Sequence, residues 1–133
     1  MNEQVRSAVE DVTRGSEDNR MNFPQVLQIL AQVGVEGYYA DLRRATKTYY
    51  LASGESLEVR SAEVGVPVAE GFDAASVEAA VRLSQADAHT YKEFCEKVVA
   101  AGCAGYLVSL LGRRVVYFGR TAQTHVEHFP TLP

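Results

Sequence analysis

The chain has 133 residues, of which 47% are hydrophobic and 23% are charged, enough for one globular core and too few for two. Its formal net charge is −4, its pI is about 5.4, and its basic residues are scattered, which argues against a nucleic-acid partner. The longest apolar run, residues 98–111, is interrupted by glycines and is shorter than a bilayer requires, so we expect no membrane segment. The N-terminal residues do not resemble a secretory signal, and we therefore expect a cytoplasmic protein.

The first half of the chain is predicted to fold as two helices followed by three strands. Apolar residues at helical spacing predict a helix from Glu3 to about Val12, ended by the segment GSEDN. Asn22 is a plausible N-cap for a second helix, with Pro24 in its first turn and Gly34 just beyond its end. Three antiparallel strands are predicted at residues 35–42, 46–52 and 55–60, and residues 61–71 form a connector.

The second half of the chain repeats this order. Asp73 is predicted to cap a helix that runs through Ser84, and a further helix from about Thr90 to Ala101 ends at Gly102. Three more strands are predicted at residues 103–110, 113–118 and 123–129.

Two similar phrases, GVEGYY at residues 34–39 and AGCAGY at residues 101–106, give an internal alignment. Placing Gly34 on Gly102 fixes an offset of 102 − 34 = 68 residues, which also places Tyr38 on Tyr106. We expect a single α+β domain over residues 1–133, formed by internal duplication of two αα-βββ halves with antiparallel strands, at about 3–61 and 73–130. The alternative is a chance recurrence of a common pattern, a helix that ends at a glycine and is followed by a strand.

A shorter second turn in the alignment changes the offset to 67 for the later strands. Lys47 then matches Arg114, and Tyr50 matches Tyr117. If a pseudo-twofold axis brought the middle strands together, two cations and two phenols would line one groove between the halves. Such a groove suits an anionic or planar ligand. The alternative interpretation is a turn-flanking cation and a buried tyrosine in each half.

The middle strands carry apolar or aromatic residues on both faces, so each is expected to be covered on both sides. Helices can cover one face, and the other requires a second sheet, another subunit or a ligand; a homo-oligomer is one way to meet this requirement. The predicted core comprises Val26, Leu27, Leu30, Tyr38, Leu42, Val77, Val81, Phe94, Val98, Tyr106, Val108, Leu110, Val116 and Phe118.

Histidine and cysteine supply the remaining candidate chemistry. On a strand, His125 and Glu127 share one face and His128 points the other way, so we predict no metal site and favour a solvated or paired strand face. His125 stays a candidate ligand-binding residue. Cys95 and Cys103 match apolar positions in the first half, so both are interpreted as core residues. No phosphate-binding glycine motif is present, and we predict no cofactor.

The phrases GVEGYY, TKTYY at residues 46–50, AGCAGY, GRRVVYFGR at residues 112–120 and HVEHFP at residues 125–130 resemble the YdfO-like, YbcV-like family of uncharacterised bacterial and prophage proteins. The resemblance implies a small cytoplasmic α+β protein and no established activity, cofactor or catalytic residue.

These observations favour a non-enzymatic binding or interaction module with a groove between its halves. One alternative is a small enzyme that uses His125 with Tyr117 or Glu127 as acid and base. A second alternative, a prophage or virion-associated structural protein, follows from the resemblance alone.

Overall fold

The computed structural model describes residues 2–130, which form four helices and six strands. In chain order the elements are α1 (Glu3–Glu17), α2 (Phe23–Gln32), β1 (Val35–Asp41), β2 (Thr46–Leu51), β3 (Ser56–Arg60), α3 (Ala74–Gln85), α4 (Tyr91–Ala100), β4 (Cys103–Ser109), β5 (Arg114–Gly119) and β6 (Thr124–His128). The strands form one antiparallel sheet in the order β3-β2-β1-β4-β5-β6, with the helices packed on one face, so the protein is α+β.

The helix boundaries follow from their capping residues. The side chain of Asn22 accepts a hydrogen bond from the backbone N–H of Gln25, whose side chain accepts one from Asn22 in return. Gly34, directly after α2, has a φ of 84°, a value that glycine adopts without strain. The predicted end of α1 at Val12 is wrong, because the helix continues through Gly15 to Glu17. The carboxylate of Glu17 anchors this last turn by accepting a hydrogen bond from the backbone N–H of residue 62.

The two halves have the same spacing throughout the sheet. Strands β4, β5 and β6 each begin and end 68 residues after β1, β2 and β3, and α4 follows α2 by the same interval. In the central strand pair, Tyr38 lies opposite Val108 and Ala40 lies opposite Tyr106. Tyr39 therefore pairs with Leu107, the residue 68 positions later, and a local twofold axis passes between them. The common origin of the two halves stays a prediction.

The expected offset of 67 in the later strands is wrong. The turns at residues 42–45 and 110–113 have equal length, and each is closed by a residue with positive φ, Ala45 at 57° and Arg113 at 52°. Lys47 therefore corresponds to Val115, and Tyr49 rather than Tyr50 corresponds to Tyr117. The sequence alignment paired Lys47 with Arg114 because both are cations. In the fold, the two turns superpose residue for residue, so this pairing is shifted by one position.

The core lies between the sheet and the helices. Nine of the predicted core residues are buried: Val26, Leu30, Tyr38, Val77, Val81, Phe94, Val98, Tyr106 and Val108. Leu27, Leu42 and Leu110 are partly buried against them. The prediction is wrong for Val116 and Phe118, which are partly exposed on the face away from the helices, because Val115 and Tyr117 of the same strand point into the core.

The other face of the sheet carries several apolar side chains. Its members in residues 2–130 include Tyr39, Tyr50, Leu107, Val116, Phe118 and Val126, and the rings of Tyr39 and Phe118 stack with centroids 5.9 Å apart. No helix of the described part of the chain covers this face, which we call the open face.

Candidate functional site

The four residues expected to share a groove lie in different places. Strands β2 and β5 are separated by β1 and β4, so their backbones are roughly 14 Å apart, three inter-strand spacings of about 4.8 Å. Lys47 is buried on the helix side of the sheet, whereas Tyr50 is exposed on the open face. Arg114 is also exposed on the open face, and Tyr117 is buried beneath the helices. The expected convergence of these four side chains is therefore wrong.

His125 takes part in a separate polar network at the edge of the sheet. Its Nε2 lies 3.1 Å from Oε2 of Glu127, and the guanidinium of Arg82 on α3 donates to both oxygens of that carboxylate. Tyr117 is adjacent, with ring centroids 6.4 Å from His125, but burial raises the pKa of its phenol well above the ordinary value. Tyr117 therefore keeps its proton at neutral pH. The predicted alternation is confirmed, because His128 is exposed on the opposite face.

A cleft of about 350 Å³ opens on the helix side of the sheet, between the start of β2 and helix α4. The end of α1, the β1–β2 turn, the loop after β3 and one side of α4 form its walls. It therefore lies where the first half of the chain meets a helix of the second. Its lining residues include Glu17, Ala45, Lys47, Ser61, Tyr91 and Cys95.

Lys47 forms part of the cleft wall and is 4% exposed. Its Nζ lies 4.5 Å from the centroid of the Tyr91 ring, a cation–π distance. Among residues 2–130, no carboxylate lies within 4 Å of this amine. Glu17 is a wall neighbour, but its two oxygens accept hydrogen bonds from Arg14 and from the backbone N–H of Ala62. The amine therefore has an aromatic partner and no salt bridge.

Burial lowers the pKa of the Lys47 amine from 10.5 to about 8, although nearby Cys95 and Glu17 act in the opposite direction. The positive charge of Arg14 adds to the lowering. Desolvation dominates because the side chain is almost completely buried and, among residues 2–130, no carboxylate forms an ion pair with the amine. A substantial fraction of Lys47 is therefore uncharged at mildly alkaline pH, unlike an ordinary surface lysine.

Helix α4 supplies the other two chemically distinctive residues of the cleft. Tyr91 and Cys95 are four positions apart and lie on the same face of the helix. The Tyr91 hydroxyl is 2.6 Å from the hydroxyl of Tyr106, which fixes the ring beside the lysine. Cys95 is a buried, free cysteine, and burial raises the pKa of its thiol. The cleft therefore contains an amine, an aromatic ring and a protonated thiol.

The other half of the protein shows what occupies the corresponding place. Ser61 donates its backbone N–H to the carbonyl of Ala45 at 2.8 Å, and Phe129, 68 residues later, donates to the carbonyl of Arg113 at the same distance. Phe129 packs edge-on against Phe23, with ring centroids 5.8 Å apart. The residues 68 positions away from Lys47, Tyr91, Cys95 and Ser61 are Val115, Phe23, Leu27 and Phe129. Apolar side chains thus stand at one of two equivalent places, formed by β5, the chain after β6 and α2, whereas the other, formed by β2, the chain after β3 and α4, has the cleft and its polar groups.

Sequence reasoning found Lys47 and missed its neighbours. The prediction that Cys95 is a core residue is confirmed, but its position in the cleft wall was not predicted, and Tyr91 and Ser61 were not selected at all. The cleft could have been detected by comparing residues 68 positions apart, because at the cleft one member of each pair is apolar and the other carries a polar group. The incorrect offset of 67 concealed the pairs at Lys47 and Ser61, since it matched Lys47 to another cation.

The fold and the site define a small α+β protein with a lysine buried beside a cleft. The chain belongs to a family described as "Protein of unknown function (DUF1398)", whose model matches residues 11–127. It is 29% identical over 120 residues to uncharacterized protein Mb2035 of Mycobacterium bovis and to uncharacterized protein Rv2012 of Mycobacterium tuberculosis. These matches cover 83% of this chain and 68% of each relative. The narrower resemblance to YdfO-like proteins stays a prediction.

Within residues 2–130, no helix combines the length and apolar character needed to cross a membrane.

Proposed function

We propose that this protein binds a small molecule in the cleft beside Lys47. The observation that carries the proposal is the buried Lys47 side chain, whose amine has no carboxylate partner in the described part of the chain. Lysine is almost never fully buried unless it is paired, because removing its charge from water is costly. A cleft that contains a strongly perturbed ionisable group is a candidate functional site on physical grounds.

The charges at the cleft favour a neutral ligand over an anionic one. Glu17, Glu63 and Glu96 line the cleft, and Lys92 is the further lysine there. These three carboxylates outnumber the two lysines of the cleft and repel an anion. Much of the lining is apolar, and the ring of Tyr91 offers a flat surface. We therefore propose a small, planar, uncharged molecule with an oxygen that accepts a hydrogen bond from Lys47.

We further propose that the two halves arose by duplication and then diverged at this place. The equal strand bounds, the matched turns and the matching backbone hydrogen bonds of Ser61 and Phe129 support a common origin. In this account, two equivalent places diverged: the place where α2 meets the end of the sheet's second half has apolar side chains, and the place where α4 meets the first half has a cleft with an amine in its wall.

Binding is tested by titrating ¹⁵N-labelled protein with benzyl alcohol, a small, planar, neutral probe, and following the backbone amide resonances. We expect saturable shifts at the cleft-lining residues Ala45, Thr46 and Ala62. The variant Ser61→Phe introduces the side chain that fills the corresponding place in the other half, and it should abolish these shifts. Ser61→Ala is the matched control and should preserve them. No saturable shift at the cleft in the unsubstituted protein, with this probe or with its planar neutral analogues, would overturn the proposal.

A second candidate function, self-association, is supported by the open face. In the first half, the open face carries the acidic residues Asp41 and Glu58, and in the second half it carries the basic residues Arg114 and His128. Arg60, a basic residue of the first half, is an exception to this separation. Two copies can pack with their open faces together, related by a twofold axis that runs parallel to the strands. In this arrangement, β5 and β6 of one copy lie over β2 and β3 of the other. Opposite charges would then flank an apolar centre.

Light scattering at increasing protein concentration tests self-association. We expect a dimer, and we expect Leu107→Asp at the centre of the open face to yield a monomer. Because Leu107 is 44% exposed in the single chain, this substitution should leave the fold intact. A monomer at all concentrations before any substitution would exclude this candidate.

A further inference from the structure

The cleft contains two potential nucleophiles, and burial affects them in opposite ways. Removal from water disfavours the charged form of any group. It therefore increases the share of Lys47 that is a neutral amine, the form that attacks a carbonyl group. It also keeps Cys95 as a thiol, the form that reacts poorly. The same environment thus prepares the lysine for addition to a carbonyl and suppresses the competing cysteine.

We infer that Lys47 captures a small, uncharged aldehyde or ketone in this cleft as a reversible imine. The inference rests on the proposed binding function and specifies its ligand class. It stands on the position of the amine in the cleft wall, the absence of an ion pair to hold it as an ammonium, and the adjacent ring of Tyr91. None of the cleft carboxylates is within ion-pair distance of the amine among the residues that the structure describes.

The chemistry balances without an oxidant or reductant. The lone pair of Nζ forms a bond to the carbonyl carbon, and the carbonyl oxygen takes up a proton to give a carbinolamine. The nitrogen then loses its remaining hydrogens, and the hydroxyl group leaves with one additional proton as water. The net change is one amine plus one carbonyl compound giving one imine plus one water. Water in the open cleft supplies and accepts the protons.

The surroundings favour a flat adduct at this position. A carbon–nitrogen double bond and its substituents are coplanar, so an imine of Lys47 can lie along the face of Tyr91. That ring is fixed by its hydroxyl contact with Tyr106 at 2.6 Å. Ser61 leaves the space that Phe129 takes in the other half, and the cleft volume of about 350 Å³ exceeds that of a single-ring aldehyde.

Reductive trapping tests the inference with benzaldehyde as the probe. The purified protein is incubated at pH 7 with benzaldehyde and sodium cyanoborohydride, which converts an imine to a stable secondary amine. Peptide mass spectrometry then measures the modified fraction at each of the three lysines, Lys47, Lys92 and Lys97. Lys97 is exposed and does not line the cleft, so it reports reactivity without the cleft, whereas Lys92 reports an exposed lysine at the cleft.

We expect Lys47 to be modified at least about tenfold faster than Lys92 or Lys97. A lowering of the pKa from 10.5 to about 8 increases the neutral fraction at pH 7 roughly 300-fold, which leaves a margin for slower entry into the cleft. Ser61→Phe should remove the fast reaction and leave modification of the exposed lysines unchanged, whereas Ser61→Ala should retain it. Lys47→Met should remove the fast reaction in a protein that keeps its fold.

The outcomes separate this inference from the proposed function. Equal modification of the three lysines, or faster modification of the exposed pair, overturns imine capture. If benzyl alcohol still binds at the cleft in that case, the binding function stands without the covalent step. If neither benzyl alcohol nor benzaldehyde engages the cleft, both proposals fail. Fast modification of Lys47 that persists in Ser61→Phe also overturns the inference, because the reaction would then not depend on the cleft.

Discussion

Replacing Lys47 with methionine should make the protein more stable at neutral pH. Methionine has a similar length and no charge to bury, so it fits the same apolar surroundings. A pKa lowered from 10.5 to about 8 corresponds to roughly 3 kcal/mol at about 1.4 kcal/mol per unit. This is the free energy that burial of the charged lysine costs the folded state when the pH is below both values. We therefore expect Lys47→Met to raise the free energy of unfolding by up to about 3 kcal/mol at pH 6–7.

The pH dependence of this gain gives a sharper test than its size. Because the pKa is lower in the folded state, the penalty is fully present below pH 8 and disappears as the pH rises towards 10.5. The groups around the amine, namely Arg14, Glu17, Tyr91 and Cys95, remain in both proteins, so the difference between parent and variant isolates Lys47.

Urea denaturation of both proteins at pH 6, 7, 9 and 10 measures the difference. The exposed cleft residue Lys92 provides a matched control, since Lys92→Met should change stability by less than about 0.5 kcal/mol at pH 7. If Lys47→Met is equally or less stable than the parent at pH 7, or if its advantage does not shrink with rising pH, the lysine is not buried as an unpaired charge.

Three further substitutions test the fold around the site. Leu30→Ala removes a fully buried side chain and should cost about 2–5 kcal/mol of unfolding free energy in urea; a loss below about 1 kcal/mol would contradict the assigned helix face. Asn22→Ala and Thr90→Ala remove the matching capping boxes of α2 and α4, and each should cost about 1 kcal/mol by the same measurement. Unequal effects, with one near zero, would argue against equivalent caps. Arg114→Ala should leave stability within about 0.5 kcal/mol and benzyl alcohol binding unchanged, because this exposed side chain lies far from the cleft. Weaker binding would support the predicted groove that Arg114 shares with Lys47.

Local patterns predicted most of the secondary structure. The spacing of apolar residues located the helices, and polar caps such as Asn22 and Asp73 marked their beginnings. The end of α1 was missed because Gly15 ordinarily indicates a break. In the fold, Gly15 is buried against the side chain of Met21, so packing overrides its local preference. Such tertiary contacts cannot be read from a single helix.

The candidate site was predicted less well, for a reason that concerns strand geometry. A shift of one residue along a strand moves a side chain to the opposite face. The assumed gap in the second turn therefore paired Lys47, on the core face, with Arg114, on the open face. Positive φ at Ala45 and Arg113 makes the two turns equivalent, and neither residue type indicates that conformation in sequence. With the turns aligned correctly, the contrast of Lys47 with Val115 is visible.

The most direct test of the account is an NMR titration of the Lys47 side-chain amine. Protein labelled at the lysine side chains gives three Cε signals, and the spectrum of Lys47→Met identifies the one from Lys47. We predict a titration midpoint near pH 8 for this signal. A midpoint near the ordinary lysine value of about 10.4 would contradict it, because the amine would then be hydrated or paired rather than enclosed beside the cleft.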